Sequence, residues 1–373
     1  MGLFALPPKP LRADLDLESL LKSDATETPL RRFRRTLAAE WFPQSGVQLT
    51  WPHEATDWAP YLAEITETYI RLAYEIAIRE KLVIVHPRPE EVQNMLDRRL
   101  PQRATHNIIY YARATDDTWA RDHAFLTVIG TGKPELLDFR FNGWGGKFSA
   151  EQDNAINRSL YEAGVVRGTY VDRNDVELEG GSVETDGMGT LLTTSACLRN
   201  PNRLRPQGMD IDLFLREAFG VENILWLDHG HLAGDDTDSH VDTLARLCPD
   251  NTIVYVKCDD TSDEHFEDLQ RMERQLQGFV NADGKAFSLV PLPLPDAITE
   301  DGERLPATYA NYLVLNRAIL LPVYNQPEKD EQARRTLQAV FPKYDIVPID
   351  SRILIRQHGS IHCATMQYPR GIL

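Results

Sequence analysis

The chain has 373 residues, 42% hydrophobic and 26% charged, with a formal net charge of −16; it can bury a substantial core, and its charge repels nucleic acid and anionic membrane while favouring cationic small molecules. No run of eighteen apolar residues marks a membrane span, and the opening MGLFALPPKPLRADLDLESL lacks a basic-then-apolar leader pattern. Four cysteines, Cys197, Cys248, Cys258 and Cys363, lack CxxC spacing, which argues against a zinc ribbon, a thioredoxin-like motif or a disulfide scaffold; a reducing cytoplasm is the expected compartment.

Residues 1–30 are proline-rich and are expected to be peripheral. From there the pattern predicts helices that each lead into a strand. Residues 55–81 lead into LVIVHP, and residues 89–100 into NIIYYAR. Residues 149–164 precede VVRGTYVDR, and residues 210–220 precede NILWLDHG. Residues 263–279 precede AFSLVPLPL, and residues 328–341 precede YDIVPID. Pro89 and Asp263 suit helix starts. Second strand-like runs lie between these: AFLTVIG, TLLTTS, TIVYVK, YLVLNRAILLPVY and RILIR. The unit is strand, strand, helix, strand, about five times over, in one α/β domain closed around an axis.

Five polar stretches abut these units: TWARDHAF (118–125), LEGGSVETDGMGT (178–190), GDDTDSHVDTLAR (234–246), NYLVLN (311–316) and GSIHCATMQYP (359–369). A pseudo-symmetric fold would gather them at one end of its axis. Cys197, Cys248 and Cys258 sit in or beside apolar runs and read as small buried hydrophobes. Cys363 stands among polar, flexible residues, as a nucleophile would. His240 lies among four acids. A calcium loop fails because the twelfth residue from Asp235 is Arg246, and zinc would need more histidine or cysteine nearby. An acid/base histidine remains, its imidazolium favoured by the carboxylates.

Asp122 reads either as half of a solvent-facing Arg121–Asp122 pair or as a site residue. Trp119 would be core or a ring face for a cation. The glycines after Glu179 form a tight turn or let that carboxylate point into a site. FNGWGGK lacks the spacing of a phosphate loop.

A thiol, a histidine and several carboxylates without a lysine or metal cluster favour an electrophile that is itself a cation. Two aspartates can hold a guanidinium in bidentate pairs and fix its carbon for attack. Cys363 would attack, His240 would protonate departing ammonia, and neutral His240 would then activate a water. Asp122 and Asp242 would hold the guanidinium nitrogens.

WARD, FNGWGGK, EGGS, DDTDSHVD, NYLVLN and GSIHC, in this order over residues 119–369, resemble the agmatine deiminase family, relatives of the bacterial peptidylarginine deiminases. The resemblance implies the pentein fold, a five-bladed α/β propeller of ββαβ units. It also implies hydrolysis of agmatine to N-carbamoylputrescine and ammonia, in putrescine synthesis, without metal or organic cofactor. The nucleophile then falls on Cys363, the acid/base on His240, and the guanidinium-binding aspartates on Asp122 and Asp242. Trp119, Glu179 and Asp236 match pocket-lining positions. The expected partner is a cationic small molecule, not nucleic acid or membrane; a homo-oligomer is compatible with the sequence. One departure is His358-Gly359, where the family commonly has Gly-Gly. Three alternatives stay open: a deiminase of free or peptidyl arginine, with Arg140 or Lys147 as candidate carboxylate binders; an amidinotransferase; and a silent guanidine-binding protein.

Overall fold

The computed structural model describes residues 35–373; the peripheral segment expected at residues 1–30 lies outside them. Five sheets of three or four strands are present among the described residues, besides one two-stranded ribbon. All five share one arrangement. In the second sheet, Thr190–Thr194 pairs antiparallel with Val183–Thr185 and parallel with Asn223–Leu227. In the third, Thr252–Lys257 does the same with Ala245–Cys248 and Ser288–Pro293. In the fourth, Ala318–Val323 pairs so with Leu313–Leu315 and Asp345–Asp350.

The first sheet puts Glu135–Arg140 between Leu126–Ile129 and Thr169–Glu177, with Thr36–Leu37 added at the edge. The fifth joins the two ends of the described chain. Thr365–Pro369 pairs antiparallel with Gln44–Thr50, which runs parallel to Lys81–His86 and onward to Ile108–Ala112.

A parallel pair cannot be joined by a tight turn, so each carries a crossover, and the crossovers hold the helices. They are Leu62–Ala77, Pro89–Arg99, Ile156–Glu162, Ile211–Phe219, Phe266–Leu276 and Pro327–Val340. Each lays an apolar stripe on its sheet, as Leu269, Met272 and Leu276 do in Phe266–Leu276.

Three expectations are corrected. The first helix starts only at Leu62, because residues 51–58 are an irregular stretch pinned by the buried Trp51 and Trp58. The helix expected over 149–164 is broken after Asn154. There Asp153 turns to accept the Asp116 and Asp117 N–H groups, and Asn154 accepts that of Phe141. RILIR is a 3-10 turn, Leu354–Gln357, not a strand. Leu354 and Ile355 are adjacent in sequence and both buried, which a strand facing a core on one side cannot manage.

A chain ending at Ala364 would leave Gln44–Thr50 without its antiparallel partner. It is expected to lose cooperative thermal unfolding by circular dichroism; a wild-type melting transition would show that the closing strand is dispensable.

Candidate active site

Each first strand of a sheet is immediately preceded by a residue of the site. Asp122 lies in Ala120–His123, ahead of Leu126–Ile129. Gly181 lies in the 3-10 turn Gly180–Ser182, ahead of Val183–Thr185. Asp242 lies in the turn Val241–Thr243, ahead of Ala245–Cys248. Asn311 precedes Leu313–Leu315, and Cys363 precedes Thr365–Pro369. One repeated position in five units thus delivers five groups to one place.

The convergence is tight. A Cβ built on Gly181 would lie 2.6 Å from His240 Nδ1, 2.9 Å from Asp122 Oδ1 and 3.0 Å from Asp242 Oδ2. Glycine is required here by space and not by backbone angle. Gly359 plays a similar part, since a Cβ there would meet the Trp119 ring at 2.4 Å. Trp119 is therefore buried against the loop that carries Cys363.

Cys363 is nearly buried. Its Sγ stands 3.4 Å from Asn311 Oδ1 and 3.9 Å from Asp242 Oδ2. The same Asn311 oxygen accepts the backbone N–H of His362 at 3.0 Å and of Cys363 at 3.3 Å, so it fixes the loop that carries the thiol. Burial, then the carboxylates of Asp242 and Asp122, push the Cys363 thiol well above its ordinary range.

The Arg121–Asp122 pair does not face solvent. Both residues are buried and point apart. Arg121 lies 3.3 Å from Glu40 and also bonds Gln367. Asp122 accepts from the Gly181 N–H at 3.0 Å and the Trp144 indole N–H at 2.9 Å. The FNGWGGK loop exists to aim that indole: Asn142 caps the Gly145 N–H at 2.8 Å, and Trp144 itself takes a positive φ of 56°. Asp122 is nonetheless raised well above an ordinary aspartate, by burial first and then by Asp242 and Glu179.

Asp242 is equally buried but moves the other way. Against the cost of burial, the hydrogen bond and charge of His362 hold it below its usual value. Its Oδ2 accepts from His362 Nδ1 at 2.6 Å.

The expectation that neighbouring carboxylates favour the imidazolium of His240 is overturned. Its ring is fully buried, and burial takes its pKa down to about 4 despite Asp242. Glu179 is also buried; its Oε1 accepts from Arg203 Nε at 2.8 Å. Asp236 is half-buried in the loop before His240. Its carbonyl accepts from Lys147 Nζ at 2.5 Å, and Lys147 also bonds Asp238 Oδ1 at 3.0 Å. Arg140 is exposed and lies 3.5 Å from Glu177.

Cys197 is buried as expected, but beside the site: Glu179, Cys197 and His240 offer donor atoms all within 4.8 Å of one another. A thiophilic divalent ion could be held there only by engaging His240 and Glu179.

His358 has φ 64°, a conformation that glycine adopts freely, which gives a backbone reason for the Gly-Gly pair that the family resemblance leads one to expect there. Its Nδ1 donates to the Gly234 carbonyl at 2.7 Å. The residues missed from sequence are Asn311, Arg203, His362 and Glu40. Asn311 lay inside a stretch already singled out; Glu40, in AAEWF, had no signal.

An α/β protein of five like units, with a thiol, a histidine and two aspartates converging from the starts of their first strands, has the constellation of a guanidine-modifying hydrolase. The chain belongs to the Porphyromonas-type peptidyl-arginine deiminase family, whose model matches residues 36–369. It is similar to an agmatine deiminase of Stutzerimonas stutzeri, 32% identical over 92% of this chain and 98% of that one. Among solved structures it resembles a C. jejuni agmatine deiminase, captured with substrate in a cysteine-to-serine variant. That match is 35% identical, with TM-score 0.82 over 91% of this chain and 98% of that one. A Porphyromonas gingivalis protein described as a candidate arginine deiminase is 45% identical, with TM-score 0.85 over 91% and 100%.

Gly181→Ala is expected to keep a wild-type melting curve and lose roughly 100-fold or more in kcat/KM, the scale of a 1 Å misplacement; full activity would show that the site is not where these groups meet. The raised thiol also predicts that Cys363 alkylation by iodoacetamide is slow at pH 7 and still rising above pH 9. A plateau near neutrality, read by mass spectrometry of the Cys363 peptide, would contradict it.

Proposed function

We propose that the chain is a deiminase that hydrolyses agmatine to N-carbamoylputrescine and ammonia, a step toward putrescine, and that its five sheets are the blades of a pentein propeller. One observation carries the chemistry. Several buried polar atoms at the site have no hydrogen-bond partner among the described residues: both ring nitrogens of His240 (Nδ1 stands 3.6 Å from Asp122 Oδ1), Asp242 Oδ1, Glu179 Oε2 and Asn311 Nδ2. Buried polar groups are rarely left unpaired. Two of these orphans are carboxylate oxygens, the partners that a planar cation with several N–H groups would satisfy.

The protonation states fit a reaction triggered by such a cation. In the free site the thiol is protonated and His240 neutral. An arriving guanidinium offsets the charge of Asp242 and favours ionisation of Asp122, whose proton goes to solvent, so the carboxylates no longer oppose the thiolate. The thiol proton passes to His240, and Sγ bonds to the guanidinium carbon. His240 returns that proton to the departing nitrogen, which leaves as ammonia, and an amidino-thioether remains. Neutral His240 then takes a proton from water as its oxygen bonds to the same carbon. The C–S bond breaks, the adduct's O–H proton passes to the departing Sγ and restores the thiol, the ureido product leaves, and His240 gives up the proton it took from water to the ammonia released or to solvent. Each step balances without a further co-reactant.

Agmatine is favoured over arginine because neither candidate carboxylate binder is open. Lys147 is engaged by Asp236 and Asp238, and Arg140 faces Glu177 from the surface. Trp119, Glu179 and Asp236 complete the pocket in this reading. Arginine remains the second substrate to test, given the 45% identity to the P. gingivalis protein.

Ammonia release is expected from agmatine, with weak or no release from free arginine or a peptide with internal arginine. Cys363→Ala should fall to background with its fold intact. Preference for arginine would replace the substrate assignment, and an active Cys363→Ala would end the mechanism.

A further inference from the structure

His362 stands beside the nucleophile yet takes no part in the chemistry just described. It is fully enclosed, and its imidazole faces away from Cys363 into a polar cluster behind the site. Nδ1 lies 2.6 Å from Asp242 Oδ2, and Nε2 lies 2.5 Å from Glu40 Oε1 and 3.0 Å from Arg246 Nη2. The short contacts to carboxylates at both nitrogens are met when Nδ1–H donates to Asp242 and Nε2–H donates to Glu40, against the opposing effect of burial and of the Arg121 and Arg246 charges.

The far side of the ring cannot drift. Arg246 donates to Glu40 Oε2 at 2.6 Å and to the carbonyls of Ala310 and Tyr312 at 2.9 and 2.8 Å, and it bonds Glu184 as well. Gln367 donates to Glu40 Oε2 at 3.0 Å, and Arg121 lies 3.3 Å from Oε1. Glu40 also borders a cavity of about 50 Å3 that includes Arg121, Glu184 and Gln367.

We propose that His362 is a positioning residue for the deiminase reaction above, on which this role rests: braced by Glu40 and Arg246, it pins Asp242 Oδ2 and so aims the free Oδ1 at a substrate N–H. A carboxylate held at one oxygen has its plane fixed, whereas an unheld one rotates. The contrast with Asp122 supports the assignment. Asp122 receives only the neutral donors of Trp144 and Gly181, and it stays protonated more readily than Asp242.

The charged and titratable groups facing Asp242 and His362 are Asp122, His240, Arg246, Cys363, Glu40, Arg121 and Glu184. Most keep their place when His362 is replaced. The loss then falls on Asp242, which needs its charge to bind a cation. Without the imidazole its pKa rises, and binding fails at a higher pH than before.

The test compares His362→Leu, His362→Asn and Glu40→Gln by steady-state ammonia release from agmatine, from the lowest pH at which each protein stays folded up to pH 9. His362→Leu is expected to raise KM roughly 10- to 100-fold, the scale of one hydrogen bond to a charged group. The acid limb of kcat/KM should move to higher pH, with kcat less affected. His362→Asn, whose amide can replace Nδ1–H, should recover much of the loss, and Glu40→Gln should shift the limb in the same direction by less. A folded His362→Leu with wild-type KM and acid limb overturns the role, as does His362→Asn no better than His362→Leu. If His362→Leu fails to fold, Glu40→Gln with an unmoved limb overturns it. A wild-type protein that acts on no guanidine ends the functional reading and this role together; an active wild type with unmoved variants ends only the role.

Discussion

Two carboxylates that reach for the same point, away from water, are the constraint that the rest of the site answers to. Asp122 and Asp242 each come within about 3 Å of one position beside Gly181. Like charges so placed cannot both ionise cheaply. The fold resolves this unequally. Asp242 is given the His362 imidazole and stays charged, while Asp122 is given neutral donors and is driven toward its acid form. The same field raises the Cys363 thiol, and burial keeps His240 neutral. The free site therefore carries little net charge, which lowers the cost of enclosing it. A cation placed between the aspartates reverses each bias at once, so nucleophile and ligand charge are coupled by electrostatics alone.

Behind this lies a second answer to the same constraint. Arg246 and Arg203 are buried arginines, each matched by carboxylates: Glu184 and Glu40 for the first, Glu179 and Asp238 for the second. Removing one partner of such a pair leaves a stranded charge, typically at 3–5 kcal/mol. They hold the strand starts in register, and the strand starts hold the chemistry.

The units were legible because periodicity changes twice within each, from alternating strand to helical stripe and back. RILIR misled because three apolar residues between two arginines fit a strand or a single turn equally well; Asp350 and Ser351 turn the chain just before it. Cys363, His240, Asp122 and Asp242 stood out by type and company in the sequence, and the structure brings them together. Their protonation was not legible. Burial overrides neighbouring charge at His240, and no count of nearby acids reveals that. Glu40 and Arg203 act at separations of 322 and 24 residues from the groups they hold, which only the folded chain makes short.

The acidic run before His240 shows the same gap between letters and roles. Asp235 caps its own turn by accepting from Thr237 and Ser239 at 2.6 and 2.7 Å. Asp238 is engaged by Arg203, Asn202 and Lys147. Three cationic or N–H-bearing side chains from distant segments hold successive parts of the loop by its carbonyls: His358 at Gly234, Lys147 at Asp236, Arg203 at Thr237. The acid surplus that pointed to a cationic substrate is thus mostly structural. What it leaves is Asp236, half-buried, whose carbonyl is held by Lys147 and whose carboxylate feels the charges of His358 and Lys147. In the proposed reading a carboxylate there would meet the far ammonium of an extended dication, whereas a zwitterion would bring its own carboxylate to the same loop and find Lys147 already engaged. The proposed preference would then rest on that carboxylate together with the engaged Lys147 and Arg140, while His358, bonded to the Gly234 carbonyl, ties the Cys363 loop to the same segment.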